Sequence, residues 1–178
     1  GINLSEYNHK IYIFPATARC PWSGAAYVNG TQAWVNGSIA RQVFTHELGH
    51  NLGVYHAASL DCGEKAIDYL YNCDEIEYGD RTDTMGLNNA HHFNAPHKIE
   101  VGWIPNEKIK EVKTDGIFEI YPIETENFNS IITTEEDNQN TQNNIFKALK
   151  IPKFDSFFED YYISARQNFG FDYNLPEG

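Results

Sequence analysis

Positive charge is scarce in this chain. Thirteen Lys and Arg stand against 25 Asp and Glu in 178 residues, a formal net charge of −12. Binding to nucleic acid or to an anionic lipid surface needs clustered basic residues, so the balance argues against both partners. Long apolar runs are also missing. No stretch approaches the ~20 residues of a membrane-spanning helix, which argues against membrane insertion. Gly1 opens directly into polar sequence without a signal peptide, a segment that secreted proteins shed on maturation. Cysteine is limited to Cys20, Cys62 and Cys73, and an odd count leaves at least one outside an internal pair. Cys62 and Cys73 flank an acidic, tyrosine-rich loop that they are placed to staple, though spacing alone does not settle the pairing. Methionine occurs once, as Met85.

What is present describes a folded protein. Apolar residues make up 41% and aromatics 14%, enough for a real core. Sequons at Asn3, Asn29 and Asn36 are compatible with secretion.

The most informative stretch is His46 to His56, HELGHNLGVYH. On a helix, His46 and His50 are one turn apart and share a face. Glu47 sits beside them, placed to take a proton from a water that a metal activates. Gly53 can adopt the left-handed conformation that ends a helix, letting the chain turn back and bring up His56. Three protein ligands with a further open position are the pattern of a catalytic zinc site; structural sites close with four.

The surrounding sequence predicts the elements that carry this motif. KIYIF (Lys10 to Phe14) reads as a strand ended by Pro15. Gly24 to Val28 and Gln32 to Val35 read as strands joined through Asn29-Gly30, a hairpin dipeptide. Ser38 is the expected cap of a helix over 39–52. Ala40, Phe44, Leu48 and Leu52 form an apolar row, predicted to press into a core while the histidines face a cleft. Residues 57–83 are rich in acidic groups. They offer oxygen ligands for calcium, but no EF-hand spacing occurs and a solvated loop is the plain expectation. Asn94-Ala95-Pro96 opens a second helix. After Pro105 the pattern turns to strands at 117–120, 146–151 and 161–165, with a polar loop over 133–144 between them. The expected fold class is α+β. A domain over 1–108 holds the small sheet, the active-site helix and a further helix. An all-β, sandwich-like segment over 109–178 follows.

HELGHNLGVYH matches HExxHxxGxxH, the signature of the metzincins, and DTMG around Met85 resembles the methionine turn of that group. YGDRTDTMG followed by HHFNAPHKIEVGW is similar to the gametolysin family. GAAYVNG resembles the rim strand that metzincins place before the active-site helix. ALKIP and YYISARQ, followed by GFD, resemble the family's C-terminal β segment. The resemblance implies a secreted, extracellular or cell-surface-associated zinc endopeptidase acting on protein or peptide substrates. It also implies His46, His50 and His56 as ligands, Glu47 as general base and Met85 as the turn residue.

The substrate would run along Gly24, Ala25, Ala26, Tyr27 and Val28, with a pocket walled by residues 86–93, including His91 and His92. Several metzincins carry a tyrosine two residues after the turn methionine, where it helps bind the oxyanion. Leu87 stands there in this chain, leaving Tyr78, His91 or His92 as candidates. The residues before His46 are fewer than the family's N-terminal lobe, and the chain stops at LPEG, so the expectation is a fragment of a longer protein. The rival reading is a zinc-stabilised, non-catalytic binding or adhesion module using Tyr161, Tyr162 and Phe169.

Overall fold

The computed structural model describes residues 2–87, 91–124, 146–153 and 159–175. The polar loop expected over 133–144 lies outside them. The chain divides into two compact units, 1–93 and 94–178, each with its own sheet.

In the first unit, β1 (Lys10–Phe14), β2 (Gly24–Ala26) and β3 (Gln32–Asn36) form a sheet in the order β1-β3-β2. β1 runs parallel to β3, and β2 antiparallel to it with Gly24 opposite Val35 and Ala26 opposite Ala33. The inward positions Ala33 and Val35 are fully buried, as a half-covered strand alternation requires. The expected Asn-Gly turn forms between β2 and β3. Asn29 takes φ +57, and Gly30 N–H donates to Tyr27 O at 2.9 Å. Asn36 holds the preceding loop: its amide donates to the carbonyls of Thr17, Cys20 and Trp22. A side chain so engaged is a poor glycan acceptor, whatever its sequon.

The helix α1 spans Arg41–Leu52, two residues shorter than expected at its start. Ser38 does not cap it. Its hydroxyl accepts from Ala40 N–H at 3.1 Å, a local turn that competes with capping and leaves Ala40 at the cap position. The buried face also differs from the apolar row. His46, Glu47, Gly49, His50 and Asn51 are buried, Phe44 and Leu48 are half-buried, and Ala40 and Leu52 are exposed. The groups that cover α1 meet it on the polar side: Gly24 at Glu47, Met85 and Phe93 at Gly49, and the β2–β3 turn at Asn51. Gly53 ends the helix at φ +112, as expected, its N–H returning to the Gly49 and His50 carbonyls.

The acidic stretch is not all loop. β4 (Ser59–Asp61) pairs antiparallel with β5 (Asp74–Ile76), and the Cys62–Cys73 disulfide closes the hairpin above them. Cys20 is free.

The second unit contains α2 (Ala95–Glu100), capped as expected by Asn94, whose side-chain oxygen accepts from His97 N–H at 3.0 Å. β6 (Ile109–Glu111), β7 (Ala148–Pro152) and β8 (Asp160–Ser164) form a sheet in that order. The strand expected at 117–120 reduces to a single bridge, Ile120 to Phe146; Ile117 is fully solvent-exposed and gives a strand nothing to pack on. Ala95, Ile104, Ile123 and Ala148 form the core of this unit, with Ile99 and Ile109 against it. Among the described residues of this unit there is one sheet, with α2 packed against it through Ala95 and Ile99. Mixed α+β content holds for the chain as a whole.

Candidate metal centre

α1 puts His46 and His50 one turn apart on its buried face, and the left-handed Gly53 returns the chain so that His56 joins them. One potential ligand atom from each of the three lies within 4.8 Å of the others. Among the described residues this is the one such group of three or more His, Cys, Asp or Glu side chains.

The hydrogen bonds choose which nitrogen each ring offers. His46 Nδ1 contacts Thr84 O at 3.1 Å, His50 Nδ1 contacts Val54 O at 3.0 Å, and His56 Nδ1 contacts Glu77 Oε1 at 2.7 Å. Carbonyl and carboxylate oxygens only accept, so each Nδ1 carries the proton. In the neutral ring this leaves the lone pair on Nε2, the form that a metal needs. Burial holds the His46 imidazole well below its ordinary value, down to about 4, against the raising effect of its bond to Thr84 O. Three imidazoles whose ligand atoms lie this close together form a fitting donor set for a borderline metal such as zinc.

Glu47 precedes Gly49 on the same turn and is buried. Desolvation pushes its carboxyl up to about 7, where it can both take and return a proton near neutral pH. Gly24, at the start of β2, faces this carboxyl so closely that any Cβ there would collide with Glu47 Oε1. Among the described residues β2 pairs with β3 alone, which leaves its other edge unpaired.

Met85 is completely buried beneath the helix. Its turn is set by Asp83, also fully buried, whose carboxylate accepts from Met85 N–H at 2.6 Å, and by the Gly86 N–H to Asp83 O bond at 3.0 Å. Thr84 ties the turn to α1 through its hydroxyl, 2.8 Å from that of Thr45, and through its carbonyl on His46. A Cβ on Gly49 would collide with Met85 Sδ, so the glycine lets helix and turn meet.

The geometry thus brings together His46, His50, His56, Glu47, Met85 and Gly24. Ala25 and Ala26 continue the strand; Tyr27 and Val28 lie in the turn beyond it, Tyr27 largely exposed. His91 and His92 are half-buried and outside the histidine trio. Of the expected pocket wall at 86–93, residues 88–90 lie outside the described set.

Several contributors were not legible as site residues. Asn51 donates to Tyr27 O at 3.2 Å and Gln32 O at 3.1 Å, pinning the β2–β3 turn to α1. Glu77, Asp83 and Thr84 hold the histidines and the turn; only the Asp-Thr pair before Met85, a turn-forming dipeptide, hinted at them. An open recess of about 870 Å³ in the second unit, bordered by Val112, Phe118, Leu149 and Ile163, has no comparable cluster of ligating groups.

The profile of the gametolysin peptidase M11 family matches residues 2–175. The chain belongs to the gametolysin peptidase family. It is 34% identical to an autolysin of Chlamydomonas reinhardtii over 110 residues, 55% of this chain and 15% of that protein. It is 32% identical to serralysin G of Dickeya chrysanthemi over 91 residues, 44% of this chain and 19% of that protein. The gametolysin-family chain therefore spans less than a fifth of the length of either relative. No solved structure matches it. None of its described helices is long and apolar enough to cross a membrane.

Proposed function

We propose that the protein is a secreted zinc endopeptidase that cleaves extended segments of other proteins. The observation that carries this reading is the convergence of three imidazoles, each anchored through Nδ1, beside a buried carboxyl and an unpaired strand edge. His46, His50 and His56 would hold the ion. Zinc supplies a Lewis acid that polarises a peptide carbonyl and acidifies water.

The chain's own groups do the remaining work. A substrate adds to the outer edge of β2 at Gly24, Ala25 and Ala26 through main-chain hydrogen bonds. The bare Gly24 brings that backbone against Glu47. Glu47 takes the proton of the attacking water and delivers it to the departing amine. Met85 gives the ligands a rigid apolar floor. Family membership supports peptide-bond chemistry, and the Cys62–Cys73 disulfide fits an oxidising, extracellular setting.

Cleavage of casein, lost on chelation and restored by zinc, tests the proposal. Glu47→Ala should keep its zinc and lose roughly 10²–10⁴-fold in rate. A zinc-loaded parent inert on casein and on a proteome-derived peptide library would overturn the endopeptidase reading in favour of a binding module.

A further inference from the structure

The three histidines are not held alike. His46 and His50 lie on the buried face of α1, and each Nδ1 is tied to a backbone carbonyl. His56 lies beyond the helix and is half-buried, and its Nδ1 partner is a side chain, Glu77, at 2.7 Å. The next residue, Tyr78, covers the same ring. Its centroid is 3.9 Å from that of His56 and 5.8 Å from that of His46.

Tyr78 takes a left-handed backbone, φ +61, which a bulky side chain adopts only when its surroundings impose it. Those surroundings are specific. Leu87 N–H donates to Tyr78 O at 2.9 Å, tying the residue to the chain after the methionine turn. Gly79 N–H donates to Ile76 O at 2.9 Å, and a Cβ on Gly79 would collide with Ser59 Oγ in β4. Glu77 and Tyr78 thus emerge directly from the β4–β5 hairpin, which the Cys62–Cys73 disulfide closes at its far end.

We propose that Glu77 and Tyr78 are positioning residues for His56, and that the disulfide-closed hairpin carrying them sets how firmly the centre retains its ion. The inference rests on the reading of His46, His50 and His56 as zinc ligands and adds a division of labour among them. Glu77 fixes the tautomer of His56 and makes its Nε2 a better donor. Tyr78 fixes the plane of the ring. Without them no described side chain fixes the His56 ring through a hydrogen bond; its backbone is held next door by the Ala57 N–H to Met85 O bond, and two of the three ligands stay firmly placed.

Zinc release into an excess of a chromophoric chelator tests this, preceded by elemental analysis of zinc content and far-UV circular dichroism. The Glu77 side chain is 68% exposed, so its replacement leaves the fold intact. Glu77→Ala should release zinc about 10–100-fold faster than the parent. Glu77→Gln, which keeps a hydrogen-bond acceptor, should fall between the two, and Tyr78→Ala should release several-fold faster. A parent that holds one zinc while Glu77→Ala and Tyr78→Ala release it at the parental rate would overturn the inference. A folded parent that holds no zinc would overturn the ligand assignment, and the inference with it.

Discussion

At the scale of single residues, the centre depends on which atom of each side chain is already engaged. Three imidazoles would be an indifferent metal site if their nitrogens faced at random. Here each Nδ1 is occupied by an acceptor, so the lone pairs converge. His56→Ala should therefore yield a folded protein largely without zinc; undiminished zinc by elemental analysis would remove His56 from the ligand set. Gly49 is defined by what it must not carry. Gly49→Ala drives a methyl into Met85 Sδ and 3.2 Å from Phe93 Cζ, in a part of the core with no slack. Overpacking of this kind costs about 1–3 kcal/mol, so its melting temperature should drop by several degrees. Propensity would give the reverse, since alanine favours a helix over glycine.

At the scale of elements, α1 serves as a bracket with a different item of the site on each turn. Its middle presents His46, His50 and Glu47, and its last turn holds the β2–β3 turn. Asn51 bonds the carbonyls of Tyr27 and Gln32, while Asn29 N–H donates to His50 O at 2.8 Å. The open edge of β2 is thus fixed relative to the histidines through the helix itself. Asn51→Ala should raise KM for peptides long enough to lie along β2, with kcat and zinc content near the parental values. An equal loss in kcat would assign Asn51 to the chemical step instead.

The apolar row 40, 44, 48, 52 was legible as a helix signal but not as the buried face. Periodicity reports that a helix has two sides; it does not report which neighbours arrive. The groups that arrive at α1 come from Gly24 at Glu47, Met85 at Gly49 and the β2–β3 turn at Asn51, none of them positions of the apolar row. The β4–β5 hairpin was hidden for a related reason. Its strands are three residues each and half of their residues are charged, so no alternation marks them, and only the paired cysteines at 62 and 73 pointed to a closed loop.

At the scale of the whole molecule, the two units are stabilised differently. The first buries Ala33, Val35, Val54 and Met85, and centres on the histidine cluster. The second has a small apolar core and a buried ionic cluster. Lys98 Nζ meets Glu124 Oε1 at 3.2 Å, Arg166 Nε lies 3.7 Å from the same oxygen, and Arg166 makes a two-pronged pair with Asp172. Glu124 is thus shared by two cations, and its Oε2 has no hydrogen-bond partner. Desolvation raises the Glu124 pKa, while Lys98 and Arg166 pull it back down. Glu124→Ala leaves a buried lysine without its anion, a change that costs about 3–5 kcal/mol in buried pairs. Thermal or urea unfolding should show that loss, and an unchanged midpoint would mean that water already screens the cluster.

The sequence by itself determined the local arrangement: the grouped histidines, the adjacent carboxylate, the helix stop at Gly53 and the capped start of α2 at Asn94. Each of these follows from residue type and spacing within a dozen positions, where helical geometry leaves little choice. Family membership was legible for the same reason. Only the tertiary structure decided which face of α1 is buried, and that Glu77 and Tyr78 reach back 21 and 22 positions to hold His56. It alone brought Gly24 against Glu47 and Met85 beneath Gly49. Those contacts join distant segments, and their partners are selected by shape and charge in three dimensions rather than by any period along the chain.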